Sequence, residues 1–75
     1  MDEVLEVLKG VRPDIDFANE TGLVTEGLLD SFDIITLIGE LNDEFDIEIR
    51  PADMLPENFD SAEAIWQLVS RLQDD

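Results

Sequence analysis

The sequence predicts an all-α fold, a small four-helix bundle made of three principal helices and one short one. Three observations carry this reading. Apolar residues recur at helical spacing in three segments, the prolines all lie between those segments, and the one alternating fragment, "DIEI", has no second strand to pair with.

The first segment is "MDEVLEVLKG". Side chains turn by about 100° per residue on a helix, which puts Val4, Leu5, Leu8 and Val11 on one side. A helix from Asp2 to Gly10 is expected, stopped by Gly10 and Pro13 because glycine favours helix ends and proline cannot continue the hydrogen-bond ladder. From Arg12 to Asp30 no period is sustained. Ile15, Phe17, Leu23, Val24, Leu28 and Leu29 are scattered so as to pin an irregular segment onto a core. Loops of this length are uncommon unless functional, so this one is expected to present something.

Ser31 to Asp46 is the clearest helix, with Ile34, Leu37, Ile38, Leu41 and Phe45 forming a buried stripe. The following "DIEIRPADMLPENFD" is broken by Pro51 and Pro56, and Pro51 to Leu55 makes one short helical turn with proline at its first position. Asp60 to Leu72 is the last helix, burying Ala62, Ile65, Leu68, Val69 and Leu72, with Trp66 half-buried at the stripe's edge. Residues 1–75 are read as a single domain, of a size for which stability is on the order of 5 kcal/mol.

Charge narrows the function. Twenty acids against 4 bases give a net charge of −16. Such a field repels nucleic acid and anionic membranes and attracts basic protein surfaces. Lys9, Arg12, Arg50 and Arg71 are scattered and form no patch. Without Cys or His, a disulfide, a thiolate or imidazole metal site and a Ser-His or Cys-His catalytic pair are excluded. No segment reads as a signal peptide or membrane anchor, so a cytoplasmic, monomeric protein without enzymatic activity is expected. The acids do not match an EF-hand loop: neither Asp14 to Ala18 nor Asp43 to Glu48 supplies the third ligand and the glycine, and no specific metal site is expected.

The stretch "EGLLDSF", Glu26 to Phe32, raises the central question of what Ser31 does. Asp30-Ser31-Phe32-Asp33 and Asp60-Ser61-Ala62-Glu63 both read as a helix start closed by a capping-box carboxylate, so the Asp-Ser pair alone is weak evidence. If Asp30 caps the helix, Ser31 occupies its first position with the hydroxyl released, at an end that favours an anion. The outer face of the second helix separates the two pairs. Phe32, Ile35, Thr36, Gly39 and Asp43 lie opposite the buried stripe, placing two large apolar side chains beside Ser31 among Asp33, Glu40 and Asp43. Either residue alone could fold back on the preceding loop. Together they indicate a contact surface.

"GLLDSFDIITLIGELNDEFDIEI" followed by "NFDSAEAIWQLVSRL" resembles an acyl carrier protein over nearly the whole chain. The resemblance implies that Ser31, in the motif Asp30-Ser31-Phe32, is the attachment site for 4′-phosphopantetheine, donated by coenzyme A through a phosphopantetheinyl transferase. It further implies a carrier that shuttles acyl or aminoacyl thioesters between enzymes with basic docking patches. Asp30, Phe32, Asp33, Ile35, Thr36, Gly39, Glu40 and Asp43 would be its contact set. "EGLLDSF" is closer to the D-alanyl carrier and peptidyl carriers than to those of fatty acid synthesis, and Gly39 stands where family members usually carry a larger apolar residue. The competing reading is an unmodified acidic adaptor that binds a basic protein, in which Ser31 only starts a helix.

Overall fold

The computed structural model describes residues 2–74. Helices α1 (Asp2–Val11), α2 (Ser31–Phe45), α3 (Pro56–Phe59) and α4 (Ala62–Asp74) follow in order, with a single 3-10 turn at Pro51–Asp53. No strand occurs among the described residues. The three principal helices pack on one another, and α3 lies against α4. Met1 and Asp75, at the ends of the expected domain, lie outside the described residues.

One cluster of buried side chains unites all the segments. Val4 and Leu8 come from α1, Leu37 and Leu41 from α2, Phe59 from α3, and Ala62, Ile65, Leu68 and Val69 from α4. The long loop contributes Ile15, Phe17, Leu23 and Leu29 to the same core, so it is pinned as its apolar residues suggested. Trp66 is half-buried against this cluster.

Three boundaries differ from the sequence reading. Helix α1 continues through Gly10 to Val11, because Gly10 keeps ordinary helical backbone and the chain turns only when Pro13 is reached. Helix α2 ends at Phe45. Asp46 adopts a left-handed conformation, φ 52°, and sends its N–H to the Asn42 carbonyl. Helix α4 starts at Ala62 and not at Asp60, and runs to Asp74.

The region around the two later prolines forms two elements where one was expected. Pro51 opens the 3-10 turn and Pro56 opens α3, each at a first helical position where its missing N–H costs nothing. The Asn58 side chain donates to the Asp53 carbonyl at 2.9 Å and ties the two together. The alternation in "DIEI" reports burial without pairing: Ile49 is buried, and its N–H is satisfied by the Asn42 side chain at 2.9 Å.

Candidate functional site

The start of α2 is built from Asp30 outward. Asp30 is the N-cap, and its Oδ1 accepts the Asp33 N–H at 2.8 Å, while Asp33 Oδ2 accepts the Asp30 N–H at 3.4 Å. This reciprocal box satisfies donors that a helix start otherwise leaves open. Ser31 is therefore the first helical residue. Its side chain is exposed and its hydroxyl makes no hydrogen bond among the described residues.

The second Asp-Ser pair is used differently. Ser61 Oγ accepts the Ala64 N–H at 3.0 Å and so acts as the cap of α4 itself. The Asp60 carboxylate turns instead to the long loop, accepting the N–H groups of Val24 and Thr25 at 3.0 and 2.9 Å and the Thr25 hydroxyl at 2.7 Å. The Thr25 hydroxyl, with these amides, holds the Asp60 carboxyl below its ordinary value. One serine is consumed as a cap and the other is left free, a distinction the sequence alone did not make.

The loop delivers Asp30 and Ser31 along a fixed path. The Leu23 N–H bonds the Asp60 carbonyl at 2.8 Å, and the Leu29 N–H returns to the Leu23 carbonyl at 2.8 Å. Between them Gly27 takes φ +77°, a conformation that side-chain-bearing residues rarely adopt. Buried Leu23 and Leu29 then hold both ends of this turn in the core.

Arg12 is the residue that sequence reasoning missed. Counted only as one of four scattered cations, it binds the Asp33 carboxylate at 2.6 Å, the Leu28 carbonyl at 3.2 Å and the Asp14 carboxylate through two contacts of 3.0 Å. Its hydrogen bonds to Asp14 and Asp33 raise its already high pKa, so it stays charged. An arginine just before a long loop with acids at either end was the available signal.

Among the expected contact residues, Phe32 and Ile35 are strongly exposed, at 78% and 63%. Asp30, Thr36, Gly39, Glu40 and Asp43 are exposed with them. Asp33 departs from that group. Its side chain is only 18% exposed and committed to Arg12, so it serves the helix start and does not face outward. Thr36 donates its hydroxyl back to the Phe32 carbonyl at 3.1 Å.

Beside Ser31 lies an apolar cleft of about 130 Å³. Val24, Ile34, Ile35, Met54, Leu55, Pro56 and Phe59 line it together with Ser31. Met54 and Leu55 are themselves exposed, so apolar surface continues from the cleft onto the outside. A free hydroxyl at a helix start, next to an apolar cleft, suits a phosphate-linked arm with a slender organic tail. Among the described residues no group of three or more His, Cys, Asp or Glu could hold a metal ion, and no helix is long and apolar enough to cross a membrane.

Comparison with known proteins shows the family. Residues 2–69 match the family described as "Phosphopantetheine attachment site". The chain is 34% identical over 76 residues to the D-alanyl carrier protein of Lactococcus lactis subsp. lactis (strain IL1403), covering 97% of this chain and 91% of that one. The D-alanyl carrier protein of Lactococcus lactis subsp. cremoris (strain MG1363) is similar to the same extent. The adaptor reading gives way, and the chain belongs to the phosphopantetheine-binding carrier proteins, which hold acyl or aminoacyl groups on that covalently attached arm.

Proposed function

We propose that Ser31 is the residue to which the arm is joined, and that the chain carries a short acyl or aminoacyl group, D-alanyl being the cargo named for its relatives. The observation that carries the first part is the capping arrangement: Asp30 closes the helix, so the Ser31 hydroxyl is exposed and unengaged. The small cleft supports the second part. At about 130 Å³ it is well below the roughly 300–1,000 Å³ of pockets that enclose drug-sized ligands, and it suits a short group resting on the surface.

Attachment is a phosphoryl transfer in which this chain supplies the nucleophile. Ser31 Oγ forms a bond to the phosphorus that bears the pantetheine, the pyrophosphate P–O bond of coenzyme A breaks, 3′,5′-adenosine bisphosphate leaves, and the hydroxyl proton is released. The transferase supplies the catalytic groups and Mg²⁺. When bound, the arm offers a terminal thiol on which cargo is held as a thioester. The chain itself catalyses nothing.

Phe32, Ile35, Thr36, Gly39, Glu40 and Asp43, with Asp30, form the face offered to the transferase and to the loading and processing enzymes. Its apolar centre and acidic rim favour basic partners, and the net charge of −16 steers encounter while leaving the contact quickly reversible. The residues 1–75 act as one monomeric, cytoplasmic carrier unit.

Incubation of the apo protein with coenzyme A, Mg²⁺ and a broad-specificity transferase, followed by intact-mass measurement, tests the attachment site. One added phosphopantetheine on the native chain and none on Ser31→Ala is the expected result. Addition to Ser31→Ala would move the site elsewhere.

A further inference from the structure

The two Asp-Ser pairs start helices by different rules, and the difference follows contacts from other segments. At Asp60-Ser61 the aspartate is drawn away by Val24 and Thr25, and the serine becomes the cap. At Asp30-Ser31 the aspartate stays on the helix and the serine is spared. What holds Asp30 in place is a box of two carboxylates in a chain of net charge −16, an arrangement that repels itself unless something neutralises it.

Arg12 supplies the compensating positive charge, shared between Asp33 and Asp14. Its Nη1 lies 2.6 Å from Asp33 Oδ2, the same oxygen that accepts the Asp30 N–H, and it also donates to the Leu28 carbonyl two residues before Asp30. The guanidinium thus fixes both the carboxylate that answers the cap and the chain entering it. It is in turn anchored by Asp14 through paired contacts of 3.0 Å. Arg50 offers the contrast, with a single contact of 3.2 Å to exposed Glu48, far in sequence from the helix start.

We infer that Arg12 is a positioning residue for the modification of Ser31: by holding Asp33 in the capping box it keeps Asp30 as the cap and leaves the Ser31 hydroxyl free to react. Without Arg12 the box opens, and the start of α2 slips by one residue to the pattern seen at Ser61. Ser31 Oγ then accepts a backbone N–H and is tied down at the helix end. The substrate remains visible to the transferase, but its nucleophile is misplaced. This inference rests on Ser31 being the attachment site.

The test is steady-state transfer of phosphopantetheine from coenzyme A to the full chain, comparing the native protein with Arg12→Gln, Arg12→Lys, Asp33→Asn and the double variant Arg12→Gln/Asp33→Asn. Arg50→Gln serves as a control that removes one cation elsewhere. Misplacing a nucleophile acts on the chemical step, so Arg12→Gln is expected to lower kcat by about tenfold with KM changed less than about twofold. Arg12→Lys should fall between, because an ammonium keeps the charge without the fork that reaches Asp33 and Leu28 together. The double variant should be no slower than Arg12→Gln alone, since both act through one box. Arg50→Gln should match the native chain.

Amide hydrogen exchange supplies an independent readout, with the Asp33 N–H expected to exchange faster in Arg12→Gln while the amides of α4 do not. Native kcat in Arg12→Gln, a loss confined to KM, or losses that multiply in the double variant would each overturn the positioning role. If the native chain takes no arm at all, the attachment reading fails first and carries this inference with it. A modified native chain with an unaffected Arg12→Gln removes this inference alone.

Discussion

The Thr25 hydroxyl donates to Asp60 Oδ2 at 2.7 Å, joining the middle of the long loop to the start of the last helical region across 35 positions of sequence. The Val24 and Thr25 amides bond the other carboxylate oxygen, so Asp60 satisfies three donors of a segment that has no regular structure of its own. Val24 and Phe59, the neighbours of these two residues, both line the cleft beside Ser31. The clamp therefore ties together two segments that both line the cleft.

That clamp should be visible in the pH dependence of stability. The Thr25 hydroxyl and the loop amides favour the charged carboxylate, and Asp60 is held below its ordinary 3.8. A depressed folded-state pKa contributes stability that is complete above the unfolded value and is lost as pH falls through the folded one. The native chain should thus melt above Asp60→Asn by a constant margin at pH values above about 5, and the margin should narrow as pH falls below that region. Asp14, held down by Arg12, acts in the same direction in both proteins and cancels from the comparison. Melting curves from neutral to acid pH test this, and a margin unchanged down to about pH 3 would remove Asp60 as the cause.

Leu41 is fully buried at the centre of α2's inner face. Leu41→Ala should cost about 2–5 kcal/mol through lost burial and the cavity left behind. Against a total on the order of 5 kcal/mol for a domain this small, the variant should be substantially unfolded near physiological temperature. Urea titration followed by Trp66 fluorescence would measure it, since Trp66 packs half-buried on the same core. A midpoint within error of the native chain would mean that the core repacks around the vacancy.

Much of this fold was legible because the dominant signal was periodicity. Leu37 and Leu41, and Ala62, Ile65, Leu68 and Val69, are buried as the wheel placed them, while Ile34, Ile38, Phe45 and Leu72 of the same stripes are half-buried against that core. What the sequence obscured depends on contacts between distant segments. The choice of Asp30 in one pair and Ser61 in the other is decided by Arg12, Val24 and Thr25, none of which belongs to either motif. The same holds for Asp33: the family resemblance put it in the contact set with Phe32, and an arginine 21 positions away holds it in a supporting role. Local patterns report which way a residue points, and partners from other segments decide what it does there.

Gly39 is exposed in the interior of α2, and a Cβ added there meets nothing within 4 Å. Its backbone is ordinary helix, so the glycine gives no conformational benefit. Gly39→Ala should stabilise the chain by about 1 kcal/mol and raise Tm by roughly 4–8 °C. Differential scanning calorimetry would decide it, and a fall in Tm would reveal a constraint on α2 that its geometry does not disclose.

Phe32 and Ile35 test the outer face separately from the helix start beneath it. Both are exposed, so Phe32→Ser or Ile35→Ser removes little buried surface, and stability should change by no more than about 0.5 kcal/mol. If this face docks the transferase, large apolar side chains at its centre should carry much of the contact energy, and KM should rise by about tenfold in each variant while kcat changes little. Variants at Arg12 should do the reverse if Arg12 acts by positioning the Ser31 hydroxyl, as inferred above. The two sets of kinetics therefore form a crossed test. Losses in kcat at Phe32 would mean that this side chain orients Ser31 after docking, and unchanged KM at both Phe32 and Ile35 would move the docking surface off α2, toward the exposed Met54 and Leu55 that also line the cleft.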